Sequence, residues 1–188
     1  QQEAAQQARA AEQRSMQAHA AARAAQLWQR ARPATDTHPY LVRKGVRAIG
    51  VRRLRDMLVI PARDTAGQLS TLQFIRPDGA QRFLTGGAIA GRYFSMGRPD
   101  ACLLIAEGYA TAATIFEATG QAVAVCFNCG NLAPVAQALR AKFPTLRLVI
   151  CADNDAGTPG NPGLTQAHAA ARAVGADVVA PDFARVPA

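Results

Sequence analysis

Ala101-Cys102-Leu103-Leu104-Ile105-Ala106-Glu107-Gly108 and Leu148-Val149-Ile150-Cys151-Ala152-Asp153-Asn154-Asp155-Ala156-Gly157 are two short apolar runs, each ending abruptly in acid. Apolar runs of roughly four to eight residues bounded by turn residues read as strands buried on both faces, as in parallel sheets. Ligands of an open parallel sheet gather outside the carboxyl ends of its strands, which is where Glu107, Asp153 and Asp155 fall. Crowded carboxylates repel one another unless a cation sits among them, and all-oxygen donor sets suit Mg²⁺ or Mn²⁺. The period of a strand is two, so Asp153 and Asp155 point the same way if the strand continues through them, and flank one ion if it has ended in a turn. Gly108 and Gly157 permit close approach of backbone or phosphate.

Working outward, Tyr109 to Thr119 reads as a helix closed by Gly120, and Ala122 to Phe127 as a second buried strand. Asn128-Cys129-Gly130-Asn131 is the loop at its carboxyl end, beside Glu107 in a parallel sheet, with Asn131 as N-cap and Pro134 in the first turn of the next helix. Leu132, Val135, Ala136 and Leu139 recur at helical spacing, as do Leu164, Ala167, Ala171 and Val174, and Asp177 to Ala180 closes the pattern as a strand. The alternation predicts an α/β fold, a small doubly wound sheet of four mostly parallel strands.

The preceding half has another texture. Residues 3–32 are rich in Ala, Gln, Arg and Glu, without glycine or proline, and read as a helix. Its large apolar residues are few, Met16, Leu27 and Trp28, so it reads as a connector from an upstream domain, with Leu27 and Trp28 docking its last turns. An arginine face through Arg9, Arg23 and Arg30 laid along nucleic acid is the weaker reading, against a solvated helix. Pro33 to Pro39 breaks the chain; His38, beside proline, reads as a turn residue rather than a ligand. Residues 57–61, 69–75 and 81–84 read as strands of an antiparallel meander, separated by the turn sequences Asp64-Thr65-Ala66-Gly67 and Pro77-Asp78-Gly79. Gly86, Gly87 and Gly91 suggest a flexible loop leading to Tyr93 and Phe94, a hydrophobic plug in preference to a stacking surface for a base. The domains expected are a helical linker over 1–36, a basic β-rich subdomain over 37–100 and the α/β domain over 101–188.

The formal charge of the 188 residues is +8, unevenly spread: residues 1–100 hold sixteen Lys and Arg against seven Asp and Glu, residues 101–188 five against six. One half attracts phosphate and the other carries the acids, which favours nucleic acid as partner. Hydrophobic content of 49% places the chain among globular proteins. No apolar stretch approaches the ~20 residues of a membrane span and the start is unlike a signal peptide, so a cytoplasmic protein without a membrane partner is expected. Cys102, Cys126, Cys129 and Cys151 read as buried thiols of a reducing compartment; Cys126 and Cys129 form a lone CxxC with no second pair to complete a zinc ribbon. GxxxxGK[ST], GxGxxG, GxSxG and HExxH are all missing, which leaves metal-dependent phosphate chemistry.

Glu107-Gly108 after one strand, with Asp153-x-Asp155 and Gly157 after another 46 residues on, resembles the paired signature of the Toprim domain, shared by bacterial primases, topoisomerases and some nucleases. Leu58-Val59-Ile60-Pro61-Ala62-Arg63-Asp64 followed by Arg82-Phe83-Leu84 is similar to the basic subdomain that precedes Toprim in bacterial primases, and His38-Pro39-Tyr40-Leu41 ending in Lys44-Gly45 is similar to a segment of plasmid and phage primases. The resemblance implies a Toprim domain over 101–188 and a DNA primase core of a plasmid, phage or conjugative element, making short RNA primers on single-stranded template. It implies Glu107, Asp153 and Asp155 as catalytic metal ligands for Mg²⁺ or Mn²⁺. Arg63, Arg76, Arg82, Arg52, Arg53, Lys44, Gly108, Asn128 and Gly130 become candidates for nucleotide and DNA binding, with Arg55 thickening the patch. Partners implied are single-stranded DNA, nucleoside triphosphates, and helicase or relaxase domains of the same or another chain. DNA cleavage by a Toprim nuclease or topoisomerase, or nucleic-acid binding without turnover, are the alternatives; no tyrosine stands in a topoisomerase-like context, and no ATPase motif accompanies a nuclease.

Overall fold

The computed structural model describes residues 2–153 and 158–181, which fall into two compact units meeting between Ile89 and Ala90. In the first unit, α1 (Gln2–Arg30) is followed by β1 (Arg32–Pro33), α2 (Pro39–Lys44), β2 (Arg52–Leu54), β3 (Met57–Arg63), β4 (Leu69–Ile75) and β5 (Gln81–Phe83). The five strands form one antiparallel sheet in chain order. Its turns are built as their residues require: Asp64 Oδ1 accepts from the amides of Ala66 and Gln68, Asp78 Oδ1 accepts from that of Ala80, and Gly67 and Gly79 take left-handed φ.

Only the last turns of α1 dock. Ala20 and Ala24 are buried, and Leu27 and Trp28 pack against Val59, Leu72, Phe74 and Leu84 of the sheet, as the sparse apolar residues lead one to expect. The short strands β1 and β2 and the helix α2 carry little periodic signal in sequence. Helix α2 is defined at its ends, by His38, whose Nδ1 accepts from the Tyr40 amide, and by Gly45 in the left-handed conformation. His38 Nε2 lies 2.8 Å from the Asp56 carbonyl, so the ring is a buried cap, in keeping with a turn residue. The loop around Gly86 and Gly87 is pinned rather than flexible: a Cβ on Gly87 would stand 2.2 Å from Thr71 Oγ1, so only glycine lets the chain close over β4.

The second unit runs β6 (Phe94–Met96), β7 (Cys102–Ala106), α3 (Tyr109–Thr119), β8 (Val123–Val125), α4 (Leu132–Lys142), β9 (Arg147–Cys151), α5 (Pro162–Val174) and β10 (Asp177–Val179). The sheet order is β10-β9-β7-β8-β6, with the four predicted strands parallel and β6 antiparallel at the edge. That edge strand, of three residues, is too short to show a period in the sequence. Phe94 and Met96 are buried, and with Tyr93 they supply the hydrophobic plug. Leu103, Ile105, Leu148 and Ile150 bury one face of the sheet with Leu132, Val135 and Leu139 of α4 and Ala167, Ala170 and Ala171 of α5. No helix among the described residues is long and apolar enough to cross a membrane.

Candidate functional site

Chain order and spatial order part company at β7. The chain moves from β7 to β8 on one side, then crosses back so that β9 lies on the other. Such a reversal opens a crevice at the carboxyl ends of the strands flanking it, here β7 and β9. Their register pairs Ala106 with Cys151, so Glu107 lies one residue past the end of β7 and Asp153 two residues past the end of β9. Both are partly buried, and Oε1 of Glu107 has essentially no contact with solvent.

The thiol of Cys126, just past β8, senses both carboxylates. Burial first, then the charge of Glu107 and more weakly that of Asp153, push it far above the ordinary thiol range. Asp155, with the rest of 154–157, lies outside the described residues. Among the described residues no three or more His, Cys, Asp or Glu side chains form a metal cluster. The donors at the crevice are carboxylate oxygens, the chemistry a hard divalent cation takes, so Glu107 and Asp153 fit Mg²⁺ or Mn²⁺.

The loop after β8 is held by asparagines. Phe127 adopts φ 75°, and Asn128 Oδ1 accepts from the Asn131 amide at 3.0 Å across a 3-10 turn, Cys129–Asn131. A Cβ on Gly130 would stand 3.3 Å from that Oδ1, so glycine keeps the cap uncrowded. Asn131 stands at the N-cap of α4 as expected, but its side chain bonds elsewhere than to the helix: Nδ2 donates to the carbonyls of Arg92 and Cys126, and Oδ1 accepts from the Gly91 amide. A buried amide satisfies itself by bridging two backbone segments, which is worth more than a solvated cap. At Gly108, which precedes α3, a Cβ would meet none of the described residues within 4 Å.

Two further readings change. Cys126 is buried, but Cys102, Cys129 and Cys151 are partly exposed, and all four are free thiols. Arg140, unremarked in the sequence, donates from Nε to Val174, from Nη1 to Phe143, Pro144 and Leu146, and from Nη2 to Gly175, all backbone carbonyls. It ties the segment that follows α4 to the carbonyl end of α5. Its only sequence signal is a cation in a last helical turn.

The arginines of the first unit are put to different uses. Arg52 stacks on Trp28 at 4.3 Å and donates to the Trp28 carbonyl, fastening α1 to β2. Arg63 reaches the Gly67 carbonyl, and Arg76 pairs with Asp78 at 3.5 Å with both side chains more than half exposed. Arg82 lies over the Phe74 ring at 5.8 Å. Arg53, Arg55 and Lys44 are exposed.

Residues 102–183 match the family model for the Toprim domain. A curated relative, DNA primase TraC of Escherichia coli, is 41% identical over 189 residues, covering 94% of this chain; the chain spans 18% of that protein's length. Among solved structures, the DnaG primase catalytic domain bound to ssDNA aligns with TM-score 0.56 at 13% identity, covering 92% of this chain and 76% of that one. The primase fragment of the bacteriophage T7 primase-helicase protein aligns with TM-score 0.52 at 13% identity, covering 77% and 60%. At such identity the structural likeness speaks to the fold.

Proposed function

We propose that this chain, a member of the Toprim-domain primase family, is the catalytic core of a DNA primase that joins nucleoside triphosphates into short RNA primers on single-stranded DNA. The observation that carries the reading is the placement of Glu107 and Asp153 past the ends of the two paired strands flanking the topological switch. The relatives' names support it, as they are primases.

Glu107, Asp153 and Asp155 would hold a divalent ion, which would neutralise charge on the triphosphate and lower the pKa of the attacking hydroxyl. Asp153 stands past β9 and Glu107 past β7, so the binding groups are anchored to neighbouring strands and keep their spacing without reorganisation. Glu107 is either a further ligand or the acceptor of the 3′-hydroxyl proton at its carboxylate. Gly108, together with Asn128 and Gly130, admits the nucleotide. Arg63, Arg76, Arg82, Arg53 and Lys44 bind phosphates of nucleotide or template; Arg52 contributes by fastening α1. Priming takes place in the cytoplasm on a plasmid or other mobile element, with helicase or relaxase domains as partners and the domain limits read from sequence.

The test is incubation with single-stranded DNA, Mg²⁺ or Mn²⁺ and labelled ribonucleotides. Short labelled RNA that disappears in Asp153→Ala supports priming. Shortened DNA would instead assign a nuclease, and neither product would assign a binding module.

A further inference from the structure

Helix α1 and the antiparallel sheet enclose a cleft of about 360 Å³ within the first unit. Its floor is apolar, with Leu27, Met57, Phe74 and Leu84. Its rim carries four arginines: Arg23 and Arg30 from α1, Arg55 from the turn between β2 and β3, and Arg82 from β5. No carboxylate lines it. Arg23, Leu27 and Arg30 are spaced four and three residues apart, so one face of the helix presents both guanidinium groups over a floor residue. All four arginines are exposed.

The hairpin fixes where the third of these arginines stands. The turn joining β2 to β3 has two residues, because Leu54 pairs with Met57, and its first, Arg55, adopts φ 57°. Left-handed backbone costs a side-chain-bearing residue roughly 1 kcal/mol, and glycine or asparagine is the usual occupant. Arginine there keeps a strained backbone while adding a fourth positive charge to a rim that repels itself. The two-residue hairpin demands a left-handed first residue, so the guanidinium of Arg55 is carried at a fixed place on the rim.

We propose that this cleft is a nucleotide-binding subsite, taking one nucleotide of single-stranded nucleic acid with its base over the apolar floor and its phosphates on Arg23, Arg30 and Arg55. Four cations without a carboxylate select an anion, and the apolar floor selects one bearing a flat hydrophobic group. The size suits a single nucleotide, and a base within a duplex, stacked and paired, cannot enter it. Helix α1 thereby becomes part of the binding surface rather than a connector. The inference rests on the nucleic-acid reading above but not on turnover.

The experiment measures binding of labelled oligo(dT) by fluorescence anisotropy against salt, using the full chain. Arg23→Glu with Arg30→Glu should weaken binding on the order of tenfold and reduce the salt slope by about 1.4, as loss of two phosphate contacts to a single strand requires. Arg9→Glu with Arg14→Glu makes the same charge change on an exposed part of the helix and should change affinity less than about threefold. Equal losses from both pairs would overturn the proposal, leaving only diffuse attraction. Photocrosslinking of a 4-thiothymidine oligonucleotide to the unaltered chain avoids any folding defect: label in peptides containing Phe74 or residues 23–30 supports the cleft, and label confined to residues 90–188 overturns it. Competition by free dTMP at millimolar concentration distinguishes a free-nucleotide site, where competition is complete, from a strand site, where it is weak. Primer synthesis by the parent with unchanged binding in the double variant would sink the cleft and leave priming standing; cleft binding without any synthesis would do the reverse.

Discussion

Each unit holds a five-stranded sheet, yet the two distribute their chemistry in opposite ways. In the first unit neighbours in space are neighbours in sequence, β1 to β5 in order, so its arginines scatter over turns, edges and a helix face. In the second, β7 touches β9 across an intervening helix-strand-helix, and acids 46 residues apart arrive at one edge. A parallel sheet aligns all its carboxyl ends and so concentrates function there; an antiparallel meander alternates its ends and leaves function to surfaces.

The largest effect expected tests that concentration. If Asp153 is the metal ligand proposed, Asp153→Ala should lower primer synthesis by on the order of 10³-fold, while the DNA retention proposed for the arginine-rich unit changes little. Its thermal midpoint should stay level or rise, because removing one of several crowded carboxylates relieves repulsion. A parallel loss of activity and stability would break the comparison.

Arg140→Met should cost about 2–4 kcal/mol in urea unfolding, because carbonyls of the segment after α4 and of the end of α5 lose their common donor. Loss confined to near-ultraviolet signals of the first unit, which holds Trp28, would contradict the assignment. Arg52→Met should cost about 1–2 kcal/mol by releasing α1 at Trp28, read as a shift in tryptophan emission. If Arg52→Met weakens DNA binding as much as Arg63→Ala without altering Trp28 emission, then Arg52 belongs to the phosphate-binding set.

The smallest effect is alkaline. Burial first, and the neighbouring charge of Cys102 second, raise the Cys151 thiol from 9.0 to about 11; burial likewise raises the Tyr40 phenol, with Arg43 opposing. A raised acid pKa in the folded chain means that unfolding releases a proton once the pH exceeds the unfolded value. Stability is therefore fully present below pH 9 and falls between pH 9 and about 11 for Cys151, and only above pH 10 for Tyr40. Urea midpoints at pH 7, 9 and 10.5 should show a shallower decline in Cys151→Ala than in the parent.

The buried runs ending in Glu107 and Asp153 made the parallel sheet legible, because strands covered on both faces have to be continuously apolar and their acids can fall only at the ends. Asp64, Gly67, Asp78 and Gly79 marked the hairpins for a similarly local reason. Strands β1, β2 and β6, of two or three residues, carry no period to read and exist because a neighbouring edge offers hydrogen bonds.

What the amino-acid order determined by itself was the alternation of strand and helix, the acids at the strand ends and the separation of charge between the two halves, all of which follow from local pattern and covalent spacing. Only the tertiary structure decided that the Asn131 side chain bridges two backbone segments from its cap position, that Arg140 ties the segment after α4 to the end of α5, that Arg52 is occupied by Trp28, and that Arg23 and Arg30 overlook a cleft. Those roles depend on which backbone happens to pass within about 3 Å of a side chain, and long-range proximity leaves no mark on local sequence.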